Sequence, residues 1–401
     1  MNKLILIVGI FGVFIGILIF YDNEKNIIQD SESEVSQNAI TMMYETSAGS
    51  GEYVVADENN WNSDEYVFNQ ELSYCENGSK LVWDNTTKSI KLNITLSDKC
   101  YVFFDVYKIN FADYLKGLYT SDGENGLYYH DGVGTYVNAN LEAGDNSYRF
   151  AGANPNNFVC FGSDEETCPV DNLYRIIGVF DGLVKLIKYD YANTDLLSSI
   201  PSIKIVTGTG FSPYYKGTFD NVYSYAWNNS ANNNWEASSL KLALNSTMLN
   251  NLSVKWQNLI SMASWQIRKL SYDLIYQGNA STVFNYELGL GLADKSTMSK
   301  IGLMYVSDYA YATSPDNWNT SMQTMNNDSN RNNNWMYMGG YEWTMSTYND
   351  VQNYAFFISK AGAVGGFDVS QNRAIRPVFY LSENASYDSG DGSINNPYRI
   401  V

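Results

Sequence analysis

Four cysteines, one histidine and a scatter of acids are the side chains with which this 401-residue chain could do chemistry. Cys75, Cys100, Cys160 and Cys168 form an even, sparse set. In an oxidising compartment such a set most simply makes two disulfides. Of the three possible pairings, Cys75–Cys100 with Cys160–Cys168 keeps each bridge local to one unit. A metal site would need tighter clusters with help from histidine, and His130 is the only histidine in the chain. No metal site and no cofactor is expected.

His130 and Asp131 stand side by side in a stretch that reads as a loop, where a surface histidine is the default and a catalytic pair the exception. Glu287 and Glu342 lie in apolar stretches that could raise a carboxyl pKa. Glycoside hydrolysis would need two such acids about 5–10 Å apart in a cleft. A solvated acid, or a partner for Arg376, is the simpler reading of either one, so no catalytic residue is assigned. Asp388-Ser-Gly-Asp-Gly392 has oxygens at calcium-like spacing without the full EF-hand pattern, and reads as a turn. Aromatics dominate binding hot spots. Trp335, Tyr337, Tyr341, Trp343 and Tyr348 therefore form the candidate recognition surface, although alternate positions on strands belong to a core.

The elements that must position these groups are mostly strands. Residues 90–96 alternate apolar and polar, and with residues 81–83 they read as a hairpin. Residues 100–104 follow as a third strand. Residues 173–180 and 183–189 flank Asp181-Gly182, a pair suited to the positive φ angles of a type I′ turn. Ser238 or Ser239 and then Ser253 are placed to cap two helices. Short strands are expected near 301–306, 335–338, 341–345, 354–358, 363–369 and 375–381. Hairpins, two helices and then many short strands define an α+β fold.

The run from Leu4 to Tyr21 contains no charge and no proline. As a helix it would be about 27 Å long, enough to cross a bilayer core. Lys3 precedes it and an acidic stretch follows, which places the bulk of the chain outside the cytoplasm. The run has no small-x-small cleavage site at its end, so residues 1–21 read as an uncleaved signal anchor of a single-pass cell-membrane protein. Residues 22–60 read as an acidic flexible spacer and 61–145 as a small β-rich domain with a connector. The main domain is expected over 146–401. The net charge of −18 argues against a nucleic-acid partner. Tyr numbers 33 and Asn is roughly one residue in nine, a bias that AT-rich codons explain.

Several segments in the C-terminal part carry a resemblance. Residues 239–252 resemble the helix pair of a bacterial domain family of unknown function. Residues 301–310 match its strand and following turn, and Glu342-Trp-Thr-Met-Ser346 sits where its tryptophan strand lies. Residues 354–357 and 362–365, with Ile375-Arg-Pro-Val-Phe-Tyr-Leu381, look like its closing strands. The end, 390–400, also recurs in such surface proteins. The resemblance covers roughly 147–401. That family is similar to the formylglycine-generating-enzyme branch of the C-type-lectin-like fold, and what it implies is fold more than function. The generating enzyme works through cysteines in its C-terminal half, and this chain has none after Cys168. The proline-containing loop of calcium-dependent lectins is missing too. The expectation is a non-enzymatic extracellular protein that binds a glycan or a protein. The alternatives are a cell-envelope hydrolase with a carboxylate pair and a purely structural display protein.

Overall fold

The computed structural model describes residues 4–9, 39–47, 50–56, 66–84, 87, 89–94, 98–131, 143–204, 223–289 and 296–401. The chain divides into two compact units, residues 1–108 and residues 109–400. Helices and many strands mix in an α+β arrangement.

In the first unit a four-stranded sheet runs in the order Tyr53–Val55, Ala39–Glu45, Lys99–Val106, Tyr66–Cys75. The Ala39–Glu45 and Lys99–Val106 pair is parallel and its neighbours are antiparallel. Lys80–Asp84 and Ser89–Ile94 form the expected hairpin. Ile90, Cys100, Val102 and Phe104 are the buried centre of this unit, and Phe68 and Trp83 pack against them. Cys75 and Cys100 face each other in register and are bonded.

Three boundaries differ from expectation. Within the run read as an anchor helix, Leu4–Gly9 is a strand antiparallel to Ser89–Ile94, and residues 10–21 lie outside the described residues. A short apolar run rich in Ile and Val fits either period, and the alternating edge of the hairpin offers it backbone partners. Among the described residues, no helix is long and apolar enough to cross a membrane. Within the expected spacer, 22–38 are outside the described residues, whereas Ala39–Glu45 and Tyr53–Val55 belong to the sheet. The acidic composition of the whole stretch hides the local run Ile-Thr-Met-Met-Tyr. The second unit begins at Ile109 rather than near 146, because Phe111 and Leu115 of the helix Phe111–Gly117, and Leu127 beyond it, are buried in its core.

The second unit is built on a seven-stranded antiparallel sheet. Its order is Ile301–Gly302, Val378–Tyr380, Leu183–Lys188, Leu173–Phe180, Ser147–Phe150, Leu127–His130, with Phe158–Cys160 also paired to Leu173–Phe180. Asp181 and Gly182 have φ of 48° and 80°, the left-handed conformation that a tight hairpin between right-twisted strands demands. A second sheet runs Lys269–Leu270, Glu342–Tyr348, Tyr354–Ile358, Val364–Asp368. A third joins Ser202–Lys204, Tyr223–Ala226 and Asn372–Arg373.

Five tryptophans, 227, 235, 265, 335 and 343, are fully buried. Ser238 caps the helix Ser239–Ala243 by accepting from the Lys241 amide at 3.0 Å. Ser253 precedes Val254–Asn258 without a side-chain cap bond. Residues 335–338 are turn rather than strand, and Val306 opens a helix, Val306–Tyr311, instead of closing a strand. The second bridge joins Cys160 to Cys168.

Candidate functional site

The five aromatic candidates separate sharply. Trp335, Tyr337, Trp343 and Tyr348 are buried, each at 4% exposure or less, whereas Tyr341 is 40% exposed. Trp335 Nε1 donates to the Phe150 carbonyl at 2.7 Å and Trp343 Nε1 to that of Tyr225 at 3.0 Å. The Tyr337 hydroxyl donates to the Lys360 carbonyl at 2.6 Å. Tyr348 packs on Phe356, Tyr272 and Tyr354. These four hold the core together and present no recognition surface. The asparagines beside the two Asn-Asn-Asn-Trp segments do similar work. Buried Asn233 donates to the carbonyls of Tyr348 and Tyr354, and buried Asn334 to that of Tyr309.

The acids considered for hydrolysis are both enclosed and engaged. Glu342 takes a two-pronged pair from Arg376, at 2.7 Å from Nε and 3.1 Å from Nη2. Burial raises its pKa while Arg376 opposes the shift. Glu287 accepts from the Val306 amide at 3.1 Å, from the Ser307 amide at 2.8 Å and from the Ser346 hydroxyl. It thereby satisfies the first turn of Val306–Tyr311. Burial, against those hydrogen bonds, pushes its pKa up to about 6. Each carboxylate is occupied by partners inside the fold.

Asp308, from the same helix, lies between Lys185 at 2.6 Å and Arg149 at 3.9 Å. His130 is buried against Tyr311 and Trp318, with Nδ1 accepting from the Ala143 amide, so it is no surface loop residue. Cys75, Asp98 and Cys100 cluster, but the two sulfurs are bonded to each other and offer no thiolate to a metal. The Asp391 carboxylate of the expected turn accepts from the Ser393 amide.

What remains open is a rim around Tyr341, the one of the five aromatic candidates that is exposed. Phe367, on Val364–Asp368, is also 40% exposed. Between these rings stands Arg373, half-buried, with its guanidinium 4.4 Å from the Phe367 centroid, 4.9 Å from Phe357, 5.1 Å from Tyr341 and 5.6 Å from Trp343. Lys360, exposed, holds its Nζ 5.5 Å from the Tyr341 ring.

Strand pairing fixes these positions: Phe367 pairs with Ala355, Arg373 with Tyr225, and the Ala374 amide donates to the Tyr341 carbonyl. Arg373 Nη1 donates to the Asn372 carbonyl at 2.9 Å, and its Nε has no hydrogen-bond partner among the described residues. Partial burial lowers its pKa. Among the described residues no carboxylate pairs with Arg373 or Lys360.

Arg175 is the contrasting case. It is fully buried between Phe158 and Trp335, bonded to Asn157 and the Pro155 carbonyl, and burial pushes its pKa down to about 9. The sequence did hold one signal for the rim. Arg373 has no acid within four positions on either side, in a chain where acids outnumber bases 43 to 25.

No family model, no curated protein and no solved structure matches this chain. By its elements it is an α+β protein of two compact units, each stapled by one disulfide.

Proposed function

We propose that this chain is a membrane-anchored, extracellular binding protein without enzymatic activity, whose second unit is a C-type-lectin-like domain of the formylglycine-generating-enzyme branch. Residues 4–21 serve as the anchor. In lipid a helix satisfies every backbone group within the segment, so this role requires residues 4–9 to leave their pairing with Ser89–Ile94. Two disulfides suit an oxidising address.

The observation that carries the binding role is the rim itself. Two large rings, Tyr341 and Phe367, are held exposed around a cation by strand pairing, while the other aromatic candidates are spent on the core. Exposed aromatics with arginine are the residues that supply binding energy. The rival hydrolase reading loses support because Glu287 and Glu342 are enclosed in bonded networks.

The test is a screen of the full chain in detergent against glycans, peptidoglycan and matrix proteins, repeated with Tyr341→Ala. A ligand whose affinity drops about tenfold in the variant, a loss of about 1.4 kcal/mol, supports the role. Product release from an envelope polymer, unaffected by Tyr341→Ala, would overturn it.

A further inference from the structure

Eight cations among the described residues meet an acid. Lys185 and Arg149 share Asp308, Arg376 holds Glu342, and Arg331, Lys241, Lys255, Lys91 and Lys116 each meet an acid. Arg373, like Arg175 and Lys188, has no carboxylate partner among the described residues, but those two are buried and Arg373 is only half-buried. Its guanidinium is half-desolvated by four rings, one nitrogen donates to a backbone carbonyl, and Nε has no partner among the described residues. A second cation, Lys360, lies against the same Tyr341 ring.

Resting on the binding role above, we infer that the rim takes a pyranose that carries a carboxylate, as in an acidic polysaccharide. Three features argue for that class. Nε is enclosed, but the Nη nitrogens keep N–H groups not spent on the Asn372 carbonyl, a planar pair that matches a carboxylate, and partial desolvation strengthens such a pair. The exposed parts of Tyr341 and Phe367 give a sugar ring apolar area to pack on, with the ring centroids 5.1 Å and 4.4 Å from the cation. Charge complementarity adds the third. Arg373 and Lys360 both stand at the Tyr341 ring without a carboxylate partner among the described residues, a local pair of cations in a chain of net charge −18. The site thus selects a single anionic group beside an apolar face, and rejects nucleic acid, whose binding needs a tract of cations.

The test titrates the full chain in detergent with a tetramer of galacturonic acid and, separately, with its methyl ester, which keeps the ring faces and removes the charge. The acid is expected to bind at least tenfold more tightly than the ester. Arg373→Gln should erase that preference, and Arg373→Lys should restore part of it. Lys360→Glu changes an exposed residue, cannot act through the core, and should weaken the acid alone. Phe367→Ala should weaken acid and ester alike.

Equal binding of acid and ester, lost on Tyr341→Ala, would overturn the carboxylate assignment and leave the binding role standing. So would binding of a protein or a neutral glycan with no binding of the uronate. Silence toward the uronate and toward every other ligand of the screen would remove both. Should Arg373→Gln fail to fold, Lys360→Glu and the ester comparison still decide the matter.

Discussion

Glu287 carries the clearest consequence at the scale of single residues. Its carboxyl ordinarily titrates near 4.5 and in the fold at about 6, because burial penalises the charged form. The folded state thus holds the extra proton between those values, and this residue's contribution to stability falls as pH rises across that window. The loss amounts to roughly 2 kcal/mol. Glu287→Gln should flatten the difference in melting temperature between pH 4.5 and pH 7 relative to the parent, as read by calorimetry. An unchanged difference would mean that Glu287 does not titrate there.

The Glu342–Arg376 pair makes a second residue-scale prediction. Arg376→Met leaves a buried carboxylate without its cation, at a cost on the order of 3–5 kcal/mol in denaturant unfolding. The double variant Arg376→Met with Glu342→Gln should recover much of that loss. What the sequence revealed of this pair was its chemistry, since Glu342 was readable as a partner for Arg376. Burial of Trp343 and exposure of Tyr341 were not readable. The seven residues of Glu342–Tyr348 are all buried, so the strand is covered on both faces and alternation assigns no side.

At the scale of elements, the second sheet depends on a glycine to close. A Cβ at Gly366 would overlap the Tyr348 hydroxyl, so Tyr348 lies across Val364–Asp368 only because that position has no side chain. Gly366→Ala should cost about 1–3 kcal/mol in chemical denaturation. It should also shift Tyr348 off Phe356, visible as a change in the near-ultraviolet circular dichroism.

The hairpins were legible because their signals are local: an alternating run, or Asp-Gly between two apolar strands. Residues 335–338 were not. Trp335, Met336 and Tyr337 look like strand by composition, yet Asn334 accepts from the Met336 amide and folds the segment as a turn. Side-chain capture of the backbone is a known rival to regular structure. Likewise Val306 lost its strand to a helix whose first amides are received by Glu287, a residue 19 positions away. Long-range bonds of this kind leave no periodicity to read.

For the whole molecule, the two units differ greatly in what sustains them. Among the described residues the first has four fully buried apolar side chains at its centre, while the second draws on a core that spans its entire length. Small cores lean on covalent closure. Closing the loop between Cys75 and Cys100, 25 positions apart, is worth about 3.5 kcal/mol in the chain-entropy account. Calorimetry should show two transitions. Cys75→Ser with Cys100→Ser should lower or abolish one while moving the other by less than a degree or two. A single transition that shifts as a whole would show the units to melt together. Pairing of the cysteines by locality was legible at this scale, and the boundary at 108 was not. The helix Phe111–Gly117 looked like connector until its buried Phe111 and Leu115 joined the second core.

The position of the first disulfide also governs how the chain answers tension. Lys80–Asp84 and Ser89–Ile94 both lie inside the loop that Cys75 and Cys100 close. Once Leu4–Gly9 is pulled from its pairing with Ser89–Ile94, a load on the two ends passes through the sulfur bridge and skirts that hairpin. The bridge withholds roughly 85 Å of extended chain from the load. The two strands inside the loop are then sheltered from the load, and the molecule lengthens under force only by what lies outside its staples.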